Sequence, residues 1–193
     1  GLRMMPIGLR LTSALAGERS APRLLFPDAG AAALARRDAP TQAESIGTFS
    51  DQRRRRGEGT GGELLLLAGA SQAEFEEVEQ LCDNHDGAVV LLNPCLEDAA
   101  VGIGSVARQR RRGFLTIWEA AYALQPMVDS ALRRVWPHPW ELYRLDPDGY
   151  RSLATFGTRP TLEEQHQALL GESAAGLGAR LKSVDRFIEG LRS

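Results

Sequence analysis

The sequence predicts an α/β fold: a mainly parallel, Rossmann-like sheet flanked by helices, with an antiparallel hairpin extension and a C-terminal helix. Three observations predict it. Two short apolar runs of buried-strand type, "ELLLLAG" (Glu63 to Gly69) and "AVVLL" (Ala88 to Leu92), bracket a stretch with helical spacing. That is the length and order of a βαβ unit with its right-handed crossover. A third apolar run, "RLLF" (Arg23 to Phe26), precedes an alanine-rich segment of good helix propensity. Last, "WELYRLDPDGYRSLATF" sets two β-rich runs around Asp146-Pro147-Asp148-Gly149, strong turn chemistry, and reads as a hairpin.

Taken in order, "IGLRLTS" near the N-terminus reads as a first strand, followed by the strand "RLLF" and the helix "PDAGAAALARRD". The polar region near 38–62 contains "RRRRGEGTGG", whose arginines and glycines cannot bury a core, so an exposed, mobile loop is expected there. Ser71 and Glu74 have capping-box spacing at the start of the next helix. In it Phe75, Val78, Leu81 and Cys82 recur on one face, and Glu76, Glu77 and Glu79 are expected to face water. Gly87 reads as a helix stop. "FLTIWEAAYAL" (Phe114 to Leu124) places Leu115, Trp118, Ala121 or Tyr122, and Leu124 on one helical face, closed by Pro126. Thr161 and Glu164 repeat the capping box before a short helix to about Leu170. Residues 1–170 are thus expected to form one domain, and 171–193 an amphipathic helix with the stripe Leu177, Leu181, Val184, Ile188 and Leu191. Such a stripe more often packs on a core than binds a partner.

Composition narrows the function classes. The 193 residues carry a net charge of -2, which argues against a general nucleic-acid binder. Two cysteines, Cys82 and Cys95, make no disulfide framework and suit a reducing compartment. No segment reaches the roughly 20 apolar residues that cross a bilayer, so a soluble domain is expected. Basic residues are 22 arginines and the single Lys182, a bias that a GC-rich genome explains and that selection for planar anion contacts also fits.

Catalytic motifs do not emerge. The run Gly102, Gly104, Ala107 matches G-x-G-x-x-A, but residues Asn93 to Val101 separate it from the preceding strand. In a dinucleotide fold the first glycine follows its strand directly, so a glycine turn into a helix is the better reading. His85, His138 and His166 are scattered, no G-x-S-x-G occurs, and no metal or cofactor is expected. Asp28 and Asn93 follow strands at the expected carboxyl edge of the sheet. There they are either ligand-binding residues or, more commonly, an N-cap and a strand end. Arg108, Arg110, Arg111 and Arg112 in "ARQRRRGF" cannot all enter a core. Two readings stand: pairing with the acidic stretch Gln72 to Asp98, or a basic surface for acidic headgroups or a membrane complex.

Taken together, "RLLFPDAGAAALARRD", "VVLLNPCLEDAAVGIGSVARQRRRGFLTIWEAAYAL" and "WPHPWELYRL" resemble a plastid and cyanobacterial domain of unknown function. It occurs in low-photosystem-II-accumulation assembly proteins, and a similar domain is appended to a chloroplast adenylate kinase. The resemblance covers roughly Arg23 to Pro160. It implies a chloroplast-stroma protein, peripherally associated with the thylakoid membrane, that supports photosystem biogenesis and brings no catalytic residues to carry over. Its partners would be photosystem membrane subunits or another thylakoid complex, with Arg108, Arg110, Arg111 and Arg112 steering, and Trp136 and Trp140 as buried anchors. The arginine-rich insertion at Arg53 to Arg56 departs from the family pattern and leaves both an assembly factor and a permanent peripheral subunit open. The alternative is a nucleotide- or phosphometabolite-binding regulatory domain using Asp28 and Asn93.

Overall fold

A computed structural model describes residues 4–16, 22–55, 62–96 and 104–171. The expected fold class is the one observed, and the chain divides into two compact units, Gly1–Trp118 and Glu119–Ser193. The expectation had been one domain over 1–170.

The first unit contains α1 (Met5–Leu15), β1 (Arg23–Phe26), α2 (Ala29–Asp38), β2 (Ile46–Thr48), α3 (Phe49–Arg54), β3 (Leu65–Ala68), α4 (Phe75–Asp83), β4 (Val89–Leu92) and α5 (Ser105–Thr116). Its strands are all parallel, in the order β2-β1-β3-β4. Strand alternation splits the apolar side chains into two layers. Leu25, Leu65 and Leu67 pack with Phe49 of α3, Phe75 and Val78 of α4, and Phe114 of α5. Leu24, Phe26, Leu66 and Ala68 pack with Ala31, Ala32 and Ala35 of α2, joined by Met5 and Leu9 of α1. The crossover helices change face where the strand order reverses, between β1 and β3, as right-handed connections require.

Two expectations fail in this unit. "IGLRLTS" lies within helix α1, not a strand. Pro6 stands in its first turn, and Met5, Gly8, Leu9 and Thr12 recur at helical spacing, with Gly8 close against Leu24. The expected mobile loop near 38–62 is folded over 40–55: a 3-10 turn (Pro40–Ser45), β2 and α3. Buried Ile46 and Phe49 supply the apolar contacts that composition masked, and Thr48 with Asp51 forms a capping box that starts α3. Gly87 is held by a close approach, since a Cβ there would lie 2.4 Å from the Glu63 carbonyl oxygen.

The second unit is an antiparallel meander, β5 (Tyr122–Pro126), β6 (Ser130–Val135), β7 (Trp140–Asp146) and β8 (Gly149–Phe156), followed by α6 over 162–171. The predicted hairpin is β7–β8, its two-residue turn closed by Gly149 at φ 129°. The expected helix through Leu124 is a correction: α5 ends at Thr116, and Tyr122 to Pro126 pair with β6 instead. The stretch fits both periods, and a neighbouring strand offering backbone hydrogen bonds decides for β. Leu132, Trp140 and Leu142 form the core here, with Ala168 and Leu169 of α6 against them. The second predicted capping box starts α6: the Thr161 amide donates to Glu164 Oε2 at 2.7 Å, and the Glu164 amide donates to Thr161 Oγ1 at 3.2 Å. Arg134 is buried, donates to the carbonyls of Ala120 and His138, and pairs with Glu119 at 3.3 Å. The stripe from Leu177 lies outside the described residues, as does Gly102.

Candidate docking surface

Helix α5 has no acidic residue, and its four arginines separate into distinct roles. Phe114 and Leu115 face the sheet, so Arg111, three and four positions earlier, is drawn inward with them. Its guanidinium lies 4.7 Å from the Phe75 ring centroid and 3.8 Å from Glu76. Phe75 meets Phe114 edge-on at 5.4 Å, and Phe114 meets Trp118 at 5.7 Å, so the cation caps a short aromatic stack. Arg110 Nε donates to Glu79 Oε1 at 3.0 Å. Glu79 does not face water as expected: its side chain is 9% exposed, against 68% for Arg110. A carboxylate at that depth needs a charged donor, and α5 supplies one.

The acidic face of α4 is therefore consumed from both sides. Glu77 accepts from Ser50 at 2.9 Å and sits 3.9 Å from Arg53, both on α3. Glu76 and Glu79 hold Arg111 and Arg110. What α5 still presents outward is Arg112, one turn after Arg108; both are exposed, and Arg112 forms no ion pair among the described residues. The expected pairing with the acidic stretch is thus observed for Arg110 and Arg111.

The carboxyl edge of the parallel sheet has its topological switch point between β1 and β3, where open α/β folds usually place ligands. Each helix start at this edge is closed by its own side chains. Asp28 accepts from the Ala31 amide at 2.7 Å and is the N-cap of α2. Thr48 and Asp51 cap α3, and Glu74 accepts from the Ser71 amide at 2.9 Å before α4. Hydrogen bonds from the Thr48 side chain and backbone hold the Asp51 carboxyl below its ordinary value. One amide at each of these helix starts is thus occupied, with a carboxylate beside it. Asn93 ends β4 at φ 50°, the left-handed conformation Asn tolerates, and is exposed.

Trp136 and Trp140 belong to the second unit and part company. Trp136 is 58% exposed, whereas Trp140 is 8% exposed in the core, with Arg159 5.9 Å above its ring. Trp140 is therefore corrected from a partner anchor to a packing residue, because its strand position faces Leu142's side of the sheet. Cys82 is half-buried, and burial, with Asp83 adding, pushes its thiol up to about 12; Cys95 is exposed. No three His, Cys, Asp or Glu residues are grouped to hold a metal ion among the described residues. No helix among them is long and apolar enough to cross a membrane.

The polar contacts at the opposite end of the sheet were not legible in the sequence. Arg23 starts β1, is buried, and donates to the Glu44 carbonyl at 3.3 Å. Burial lowers its guanidinium from the ordinary value, and Arg55 adds to the effect. An arginine opening an otherwise apolar strand was the available signal.

The family comparison agrees with the resemblance at its coarser level. No curated protein and no solved structure matches this chain. The sequence model of a family described as Domain of unknown function (DUF1995) matches residues 1–167. The chain belongs to that family.

Proposed function

We propose that this member of the family is a non-catalytic protein that docks on the stromal face of a photosynthetic membrane complex, as an assembly factor or a peripheral subunit. The observation that carries the proposal is the division of labour on α5. Arg110 and Arg111 are spent on the fold, while Arg112 is exposed on a helix without acidic residues and forms no ion pair among the described residues. Exposed guanidinium groups suit steering toward acidic headgroups or an acidic protein face. The resemblance to photosystem assembly proteins supplies the membrane and the complex. Against the nucleotide alternative stand the self-capped helix starts at the switch point, with Asp28, Asp51 and Glu74 adding negative charge where a phosphate would sit.

The test is sedimentation of the full chain with thylakoid membranes over a salt series, followed by native fractionation of the solubilised complexes. Surface charges are screened over about 10 Å at 0.1 M salt and about 3 Å at 1 M, so binding should fall steeply between these limits. Migration with a mature photosystem at constant ratio marks a subunit, and migration with small incomplete complexes marks an assembly factor. A chain that stays in the supernatant at low salt refutes docking.

A further inference from the structure

Strand β5 is an edge of the antiparallel sheet, and its sequence, Tyr-Ala-Leu-Gln-Pro, carries no charge. The Trp136 amide donates to the Ala121 carbonyl, and the Met127 amide donates to the Ser130 carbonyl. With the register Tyr122↔Val135 and Leu124↔Arg133, antiparallel alternation turns the backbone groups of Ala123 and Gln125 toward β6. Those of Tyr122, Leu124 and Pro126 therefore point outward. The outer edge offers two amides, at Tyr122 and Leu124, and three carbonyls, since Pro126 has no N–H. Tyr122 and Leu124 are also 68% and 57% exposed.

The other edge of the same sheet is protected in the usual ways. Strand β8 carries Arg151, bound to Asp146 at 2.7 Å, and a register shift opposite Leu142/Tyr143. Charges and bulges of that kind discourage strand addition. At β5 they are missing, and only the terminal Pro126 limits the strand.

The geometry points to β5 as a homodimerisation edge, where two copies of this chain pair their β5 strands antiparallel across a two-fold axis into one continuous sheet. A two-fold at Leu124 sets Leu124 opposite the partner subunit's Leu124, and each amide meets the other's carbonyl. Tyr122 then lies opposite Pro126 of the partner subunit, and its amide reaches that carbonyl. Both outward donors of each copy are satisfied, and the missing proline amide falls at the end of the ladder, where it breaks nothing. Side-chain rows continue across the axis without conflict. One row runs Val135, Tyr122, then the partner's Pro126 and the partner's Ala131, and is apolar throughout. A second runs Arg134, Ala123, then the partner's Gln125 and the partner's Leu132, its one charge already paired with Glu119. The third runs Arg133, Leu124 and their symmetry mates, so the two like charges stand three strand spacings, about 14 Å, apart. That exceeds the screening length of about 8 Å at physiological salt. A neutral, apolar edge selects a neutral, apolar strand, and a second copy presents one in matching register.

The experiment is sedimentation velocity of the full chain from low micromolar to millimolar concentration. A species of twice the 21.0 kDa monomer mass is expected to grow with concentration. Leu124→Lys, which opposes two charges at the axis, and Leu124→Pro, which removes only an outward amide, should both remain monomeric. Tyr150→Lys on the β8 edge should dimerise like the parent. Circular dichroism and melting temperature verify that each variant is folded, and the two Leu124 variants back each other should one fail. A parent that stays monomeric throughout overturns the proposal, as does a dimer that survives in both Leu124 variants. A monomer that instead takes up an apolar extended peptide at β5 overturns the second copy as occupant.

Discussion

Replacing Arg110 with alanine isolates the contact that fixes α5 to α4. The substitution removes an exposed side chain and leaves the Glu79 carboxylate, 9% exposed, without its 3.0 Å donor. Breaking a fully buried pair costs about 3–5 kcal/mol. An exposed pair is worth about 0–1 kcal/mol. With one partner buried and the other largely solvated, water can follow part of the way in, which puts Arg110→Ala near 2 kcal/mol. For a urea slope of about 1–3 kcal/mol/M, the unfolding midpoint should fall by roughly 1 M. Tryptophan fluorescence in a Trp136→Phe, Trp140→Phe background follows this unit alone, because Trp118 packs on Phe114. Arg112→Ala, which breaks no ion pair seen among the described residues, should stay within about 0.5 kcal/mol. The double change Arg110→Ala, Glu79→Leu should recover most of the loss, since an apolar side chain removes the stranded charge. An Arg110→Ala variant no worse than Arg112→Ala, or a double variant no better than the single one, would refute this role for the Arg110–Glu79 pair. Folding and docking separate at Arg112: Arg112→Glu should weaken membrane sedimentation at low salt without moving the urea midpoint appreciably.

Further expectations concern glycine, thiol and carboxyl groups. Gly87→Ala forces a Cβ against the Glu63 carbonyl and should cost about 1–3 kcal/mol, seen as a lower melting temperature; an unchanged melt would show that the loop yields freely. In the native protein at neutral pH, a thiol reagent should modify exposed Cys95 quickly and Cys82 only on unfolding, which peptide mass mapping distinguishes. Equal rates at both would contradict the burial of Cys82. Asp146 is held below its ordinary value by hydrogen bonds from Arg144 and then Arg151, and Glu164 by the Thr161 amide and then its hydroxyl. A depressed carboxyl stabilises the fold above its unfolded value, about 4, and that contribution is lost as pH falls through the lower folded value. Melting temperature should therefore drop below about pH 4, and less steeply in Asp146→Asn; identical profiles for parent and variant would refute the assignment.

The elements legible in the sequence are those whose cause is local. Ser71 with Glu74 and Thr161 with Glu164 are capping boxes because the bonds span three residues. Leu65–Ala68 and Val89–Leu92 are strands because apolar runs of that length fit a sheet covered on both faces. Asp28 belongs with them, since its preferred reading as an N-cap needs only the Ala31 amide three residues on. The misread segments are those where two periods compete. Tyr122 to Pro126 satisfies a helical stripe and a strand alternation alike, and only the presence of β6 alongside selects the strand. Ile46 and Phe49 are too few to outweigh the polar residues around them until β1 and β3 give them a core to enter.

The same line runs through the candidate surface. By itself the sequence determined that four arginines stand together near an acidic stretch, that the fold is α/β, and that the chain resembles a family its own residues 1–167 match. Which arginines the fold itself consumes was decided only in three dimensions. Burial of Glu79 on the face of α4 claims Arg110, the Phe75 ring claims Arg111, and the core of the second unit claims Trp140. Desolvation is the reason: a charge or ring is committed by what surrounds it, and those surroundings are assembled from segments distant in the chain.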